Sequence, residues 1–255
     1  MKTITIANQK GGVGKTTTSI CVMQELRRRG KKVLFIDTDP QGNATTFFNV
    51  MTEGEASLSD VLYSKLPIME AVKHTENGDV VPSDSELKKA ENVIENDELR
   101  FYHLKNAFKD PELRKTYEYV IIDTPPAIGV LLKNVLAVTD IVIVPIQESG
   151  WSISGLMDFN DAVEKAQQTT NPDLKIDGIL KIMVHDNMKK SKEISALAEQ
   201  LGDKIDSKVY KTGIRECTKC PEALTIYFTP LHEYSPNCTT ARDYEDFVTE
   251  LIGEE

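Results

Sequence analysis

The sequence predicts an α/β fold in which a doubly wound, mostly parallel β-sheet is flanked by helices. Near-continuous apolar runs rich in β-branched residues alternate along the chain with amphipathic stretches of helical spacing. Strands covered on both faces of a parallel sheet have such runs, whereas half-exposed strands alternate apolar and polar residues. The predicted strands are TITIAN (Thr3 to Asn8), KVLFID (Lys32 to Asp37), YVIIDTPP (from Tyr119), DIVIVPI (from Asp140) and KIDGILKIMVH (from Lys175).

The first predicted helix, KTTTSICVMQELRRRG, follows the first strand and ends at Gly30, a residue type that commonly terminates helices. Residues 53–110 are rich in Glu, Asp and Lys, and we interpret them as a helical elaboration with a short strand at GDVVPSD. The stretch TTARDYEDFVTELIGEE predicts a closing helix capped by Thr239 or Thr240. The simplest organisation is a single domain over residues 1–255.

The composition excludes several classes of protein. The chain has 255 residues, 40% of them hydrophobic and 27% charged, which is ordinary for a globular protein with a substantial core. No apolar run approaches the roughly 20 residues that cross a bilayer, and MKTITIANQK lacks the layout of a signal peptide, so we expect a cytoplasmic protein. The net charge of -10 disfavours avid, indiscriminate binding to nucleic acid and suits a basic protein partner.

The stretch NQKGGVGKTT contains an altered phosphate-binding loop. In the usual pattern G-x-x-x-x-G-K-[ST], Lys15 and Thr16 fill the last two places, but Gln9 stands where the first glycine belongs. The glycines let backbone N–H groups point at phosphate oxygens, and the following helix adds its positive N-terminal end. Lys15 is expected to reach the β- and γ-phosphates, and the hydroxyl of Thr16 is expected to bind Mg²⁺. A nucleoside triphosphate site is therefore predicted.

Two predicted strands end in aspartate, which suits a magnesium ion held by oxygen ligands. Asp123 ends YVIIDTPP and is the expected Walker B residue. Asp37 and Asp39 end the second strand with i, i+2 spacing, so they lie on the same side of an extended segment. One carboxylate there can orient an attacking water while its neighbour supports the hydration shell of the metal. The alternative is that either residue caps a turn, because Asp before Pro and Gly is common turn chemistry.

Three motifs, KGGVGKTT, DTDPQGNAT and IIDTPP, together resemble the deviant-Walker ATPases of the ParA/MinD superfamily, specifically the ParA/Soj branch. VPSDSELKKAE, VIVPIQESGWSISGL and PLHEYSPNCTTARDYEDFVTEL are similar to later blocks of that branch, so nearly the whole chain is covered. The resemblance implies ATP and Mg²⁺ as cofactors. It also implies slow hydrolysis to ADP and phosphate that a partner stimulates.

The resemblance also implies a role for Lys10, the second unusual residue of the loop. In the family, the lysine at this place crosses a dimer interface to the triphosphate of the other subunit, so that ATP drives homodimer formation. The alternative is an exposed loop lysine. The implied catalytic residues are Lys10, Lys15 and Asp39. The expected phosphate contacts are Lys10, Gly11, Gly12, Val13, Gly14, Lys15, Thr16 and Thr17, and the expected magnesium ligands are Thr16, Asp39 and Asp123, with Asp37 supporting.

Family members of the ParA type bind DNA non-specifically as ATP dimers and work with a ParB-like centromere-binding protein. The candidate DNA contacts are Lys189, Lys190 and Lys192 at the start of a helix, and Lys211, Arg215 and Lys219 after the next strand. The residues expected to lie near adenine are His185 to Asn187 and Gly213 to Glu216. A solvated surface is the alternative for the lysine cluster. If DNA binding holds, the protein is associated with the nucleoid.

Three other assignments are open at this stage. A regulatory switch that binds only protein partners fits the acidic chain equally well. An iron–sulfur carrier would use Cys217 and Cys220, which have C-x-x-C spacing, although two ordinary half-buried cysteines are the default. Membrane targeting of the MinD type needs a basic amphipathic terminal helix, whereas EDFVTELIGEE is acidic, so no membrane partner is expected.

Overall fold

The computed structural model describes residues 1–147, 153–184 and 188–253. Within these ranges the strands form one eight-stranded sheet, in the order β3-β4-β2-β5-β1-β6-β7-β8. Every neighbouring pair is parallel except β3 and β4. The strands are β1 Lys2–Ile6, β2 Val33–Asp37, β3 Lys73–Thr75, β4 Gly78–Val81, β5 Tyr119–Asp123, β6 Ile141–Ile146, β7 Lys175–Val184 and β8 Lys208–Arg215.

Helices cover both faces of this sheet, which confirms the predicted doubly wound α/β fold. Alternate residues of each central strand face opposite layers: Phe35 of β2 packs with α1 and α11, whereas Leu34 packs with the helices of the other face. The α-helices of the described ranges are α1 Lys15–Arg28, α2 Asn43–Phe47, α3 Leu87–Ile94, α4 His103–Ala107, α5 Pro111–Thr116, α6 Val130–Leu136, α7 Ile153–Thr169, α8 Met188–Lys204, α9 Lys219–Thr225, α10 Leu231–Tyr234 and α11 Thr239–Ile252.

The segment 53–110 is less helical than its sequence predicts. It supplies the hairpin β3–β4, of which only β4 was expected. The stretch SLSDVLYSKL forms only a π-helical turn at Asp60–Ser64, and ELRFYHLKNAF is helical only over α4. A side-chain contact with the rest of the protein helps to fix the start of α4, because the amide oxygen of Asn134 on α6 accepts the backbone N–H of Leu104 at 3.1 Å.

The cap of the closing helix differs from both predicted residues. Cys238 precedes α11, and its sulfur accepts the backbone N–H of Ala241 at 3.4 Å. Thr240 is instead used for a tertiary contact, since its hydroxyl donates to the backbone oxygen of Arg215 at 2.8 Å. The chain therefore begins α11 with a thiol, which the usual preference for Ser, Thr, Asp and Asn does not predict.

Candidate functional site

The phosphate-binding loop connects β1 to α1 and has the backbone conformation that its glycines require. Gly12 and Gly14 adopt left-handed angles, with φ of 72° and 68°. Gly14 also lies against Ile182, whose Cδ1 is 2.8 Å from the position a Cβ would take, so a larger residue would have to displace that side chain as well as adopt a strained φ. Because Gly14 is also the cap of α1, no side chain satisfies the first N–H groups of that helix. Such groups are suited to an anion.

Lys15 is the buried cation of the loop. Its side chain is among the buried charged groups, and its Nζ donates to the backbone oxygen of Lys10 at 2.9 Å. Burial lowers the pKa of Lys15, while the nearby carboxylates of Asp123 and Asp39 act in the opposite direction. The ammonium group is therefore held between the loop and the strand-end carboxylates, where the sequence predicts phosphate.

Asp123 lies at the end of β5, beside both the loop and β2. The hydroxyl of Thr16 donates to its Oδ2 at 2.6 Å, and the hydroxyl of Ser19 donates to its Oδ1 at 3.1 Å. Burial raises the pKa of Asp123 to about 7, and the charge of Asp37 adds to that effect, whereas the two hydroxyls and Lys15 oppose it. Hydroxyl and carboxylate oxygens are hard ligands, so Thr16 and Asp123 fit a magnesium ion.

Asp37 is in register with Asp123 on the neighbouring strand and is fully buried. Both the backbone N–H and the hydroxyl of Thr45 donate to its Oδ2 at 2.8 Å, and the N–H of Asp39 donates to its Oδ1 at 3.1 Å. Burial raises the pKa of Asp37 to about 6 despite these bonds. The carboxylate thus fixes the start of α2 as well as adding negative charge next to Asp123.

Asp39 is half-exposed and lies in a turn, as the alternative interpretation expects. Its Oδ1 accepts the N–H of Gln41 at 3.0 Å, and its backbone oxygen accepts the N–H of Gly42 at 2.9 Å. The same carboxylate lies close enough to Lys15 to interact with it electrostatically. The turn therefore holds Asp39 beside the loop, where a carboxylate can meet a water.

Sequence reasoning missed the polar residues that support these groups. Ser19 and Thr45 donate to the buried carboxylates, and Asn8 joins the loop to the sheet. Asn8 accepts the N–H of Lys10 at 3.0 Å and donates to the oxygen of Pro145 at 2.6 Å. A polar residue directly after an apolar strand was the available signal for Asn8. Thr45 ends the motif DTDPQGNAT that begins with its partner Asp37, whereas nothing local marks Ser19, because its partner Asp123 is 104 residues away.

The candidate DNA contacts are placed differently from the prediction. Lys211 and Arg215 lie on β8 itself, not after it, and Lys219 begins α9. Arg215 is engaged by α11, because its Nη2 lies 2.6 Å from Oδ1 of Asp243 and its Nε lies 3.0 Å from Oδ2. Lys219 pairs with Glu222 at 2.8 Å, while Lys211 is exposed. The side chains of Lys189, Lys190 and Lys192, and the segment His185 to Asn187, lie outside the described residues.

The C-x-x-C pair does not present two thiols on one surface. Cys220 is buried in the core, whereas Cys217 is half-exposed. Among the described residues no three His, Cys, Asp or Glu side chains are arranged to hold a metal ion. Likewise, no described helix is long and apolar enough to cross a membrane.

Backbone donors, a buried ammonium group and strand-end carboxylates converge at one edge of a parallel sheet, as in P-loop nucleotide-binding proteins. A family model described as an AAA domain matches residues 1–176. The chain is 32% identical to the chromosome partitioning protein ParA of Caulobacter vibrioides, over 100% of this chain and 95% of that protein. It is 34% identical to the sporulation initiation inhibitor protein Soj of Bacillus subtilis, over 99% of this chain and 98% of the relative.

A solved structure agrees with these matches. Cobyrinic acid a,c-diamide synthase from Mycobacterium smegmatis, with bound ATP analog and magnesium, superposes with a TM-score of 0.84 and 29% identity. The match covers 99% of this chain and 94% of the other. The chain belongs to the ParA/Soj branch of the ParA/MinD superfamily, the ParA-type ATPases of partitioning.

Substitution Asp123→Asn is expected to stabilise the nucleotide-free protein while weakening magnesium-dependent nucleotide binding. At pH 8 the substitution removes a buried negative charge next to Asp37, so the free energy of unfolding should rise by about 1 kcal/mol or more. Urea unfolding without magnesium or nucleotide measures this change. Asp203→Asn, on the exposed part of α8, is the matched control and should change stability little. A lower unfolding free energy for Asp123→Asn would show that the carboxylate is needed for folding.

Proposed function

We propose that the protein is an ATP-dependent dimer switch that hydrolyses ATP to drive DNA partitioning, through non-specific DNA binding and a ParB-like partner. The observation that carries the proposal is the placement of Lys15 between the altered loop and two strand-end carboxylates. Relatives named ParA and Soj match nearly the whole chain, which supports partitioning as the setting. We propose further that residues 1–255 act as one domain in the cytoplasm, because the segment 53–110 adds strands to the sheet that carries the loop.

ATP and Mg²⁺ fit the groups present. The mycobacterial protein with a similar fold binds an ATP analog and magnesium, which supports the same ligands here. The loop N–H groups and Lys15 would hold the phosphates, while Thr16 and Asp123 would hold the metal, with Asp37 adding charge behind them. A bound magnesium ion supplies charge neutralisation at the β- and γ-phosphates. Asp39, held beside the loop by its turn, would orient the attacking water or the metal's hydration shell.

Lys10 is suited to a role across a dimer interface because the protein fixes its backbone at both polar groups. Its N–H donates to Asn8, and its carbonyl oxygen accepts from Lys15. The side chain therefore starts from a rigid point next to the phosphate site. A cation supplied by a second subunit would stabilise the charge on the transferred phosphoryl group and would link ATP to assembly.

DNA binding would be modest and sensitive to salt. The predicted basic residues of β8 and α9 are partly neutralised, since Arg215 pairs with Asp243 and Lys219 with Glu222. Lys211 is exposed on the same strand. Few phosphate contacts give weak binding that falls with salt, which agrees with the net charge of -10.

The partner would dock on an acidic groove at the side of the segment 53–110. This groove has a volume of about 1160 Å³, and Tyr63 contributes an exposed ring. Its ionisable lining residues are Glu53, Glu55, Asp60, Asp84, Glu86 and Lys89. Glu55 pairs with Lys73 and Glu86 with Lys89, which leaves Glu53, Asp60 and Asp84 as the excess carboxylates. A groove with this negative excess and an exposed aromatic ring fits a basic segment of a DNA-binding partner. This segment is the occupant that we propose.

Lys10→Ala is expected to leave ATP binding by the monomer largely intact and to abolish the ATP-dependent dimer. If Lys10 acts like an arginine finger, turnover should fall by about 10³-fold. Light scattering with ATP, together with phosphate release, measures both effects. Lys32→Ala, another lysine next to a strand, is the control and should behave as wild type. Wild-type turnover in Lys10→Ala would exclude the role of this lysine across the interface.

Asp39→Ala should form the ATP dimer without hydrolysing ATP.

Binding to random-sequence duplex DNA is expected with ATP and not with ADP. The logarithm of the affinity should fall linearly with the logarithm of salt concentration. Lys211→Glu should weaken binding and make the slope shallower by about one, because one phosphate contact is lost. Lys115→Glu, on exposed α5, makes the same charge change elsewhere and is the control. Dimer formation with ATP but no DNA binding at low salt would favour the switch that binds only proteins.

Charge reversal in the groove tests the partner surface. The probe is a peptide from the basic N-terminal segment of a ParB-like protein encoded next to this chain. Glu53→Lys places a cation where this segment binds. The peptide concentration that gives half-maximal stimulation of ATP hydrolysis should therefore rise several-fold. Basal hydrolysis should not change. Glu199→Lys on α8 makes the same change outside the groove and should leave stimulation unaltered. Equal stimulation of both variants would exclude the groove as the docking site.

A further inference from the structure

All four cysteines of the chain meet at one place, although they come from distant parts of the sequence. Cys21 lies on α1, Cys217 follows β8, Cys220 lies on α9, and Cys238 caps α11. The thiol of Cys21 neighbours that of Cys220, and the thiol of Cys238 neighbours that of Cys217. The cluster lies apart from the phosphate loop, and the proposed ATPase does not use it.

The two thiol pairs differ in their access to solvent. Cys21 and Cys220 are buried in the core beside α11. Burial raises the pKa of Cys21 well above its ordinary value, and neither thiol of this inner pair is open to a reagent in solvent. Cys217 and Cys238 are half-exposed, so a small reagent can reach the outer pair.

Both sulfurs of the outer pair accept backbone N–H groups. The N–H of Lys219 donates to Sγ of Cys217 at 3.4 Å, and that of Ala241 donates to Sγ of Cys238 at the same distance. Burial raises the pKa of Cys238, which leaves less thiolate on this residue. The order of attack that follows is Cys217 first and Cys238 second, as the resolving thiol.

The backbone on each side of the outer pair is already held together. Arg215 and Asp243 form a two-bonded ion pair, and the hydroxyl of Thr240 donates to the backbone oxygen of Arg215 at 2.8 Å. The end of β8 and the start of α11 are thus fixed next to each other before any bond forms between the sulfurs. A disulfide requires its two sulfur-bearing carbons to be close, and these contacts keep the two segments that carry the cysteines adjacent.

We propose that Cys217 and Cys238 form a reversible disulfide by exchange with a low-molecular-weight disulfide of the glutathione class. The thiolate of Cys217 attacks one sulfur of the small disulfide, breaks its S–S bond and releases one small thiolate. Cys238 then loses its proton and attacks the sulfur of Cys217, which releases the second small thiolate. The protein dithiol is oxidised, the small disulfide is reduced to two thiols, and the product joins β8 to the cap of α11.

The test treats the full chain with oxidised glutathione, alkylates the remaining thiols and maps the peptides by mass spectrometry. We expect loss of two thiols, one peptide that joins Cys217 to Cys238, and reversal by reductant. Cys238→Ser should instead keep a single glutathione adduct on Cys217, because the resolving thiol is absent. Cys217→Ser should form no disulfide. The urea midpoint of the wild type should rise on oxidation and return on reduction, whereas the midpoint of Cys217→Ser should not shift.

Several results would overturn the proposal. Retention of four free thiols in the treated wild type would show that the outer pair does not react. A peptide joining Cys217 to Cys220 would assign the chemistry to the C-x-x-C pair. One equivalent of zinc in the purified protein, lost on alkylation of all four thiols, would make the cluster a metal site. The test involves neither ATP nor DNA, so its outcome is independent of the proposed ATPase function.

Discussion

Two buried carboxylates, those of Asp37 and Asp123, lie side by side at the ends of adjacent strands, and the rest of the site is arranged around them. Burial raises the pKa of Asp37 to about 6 and that of Asp123 to about 7, and the charge of Asp37 adds to the effect on Asp123. The hydroxyls of Thr16 and Ser19 and the ammonium group of Lys15 oppose the shift in Asp123. A divalent cation would stabilise the two carboxylates more fully than these groups do. The nucleotide-free protein is therefore less stable than it would be without the buried charges, and the same charges form a cation site.

The strands, the loop and the strand-end carboxylates could be predicted because each depends on a pattern of a few consecutive residues. Apolar runs reveal buried strands, and glycine spacing reveals the loop. Strand β3 could not be predicted, since its three residues, KHT, contain no apolar run and it pairs with β4 at the edge of the sheet. The donor Ser19 could not be predicted either. It is 104 residues from its partner Asp123, and no pattern over that range is visible in one chain.

Arg215 shows how charge in a sequence differs from charge on a surface. The resemblance to ParA-type proteins makes Arg215 a candidate DNA contact. Asp243, which binds it from α11, is 28 residues away and almost fully buried. An arginine held by a buried carboxylate has little free charge for phosphate, and breaking that pair would leave an uncompensated anion in the protein. The electrostatic character of this surface thus depends on α11 as much as on β8.

Helix α11 connects the two regions for which we propose chemistry. Tyr244 meets Thr18 of α1 at 3.1 Å, one turn after the phosphate loop, while Thr240 and Asp243 hold the end of β8. A change at either end reaches the other only by moving a helix whose inner face is packed into the core. Packed cores resist small continuous shifts. Thiol oxidation would therefore act mainly on the junction of β8 and α11, where Arg215 lies, and would leave the phosphate loop in place.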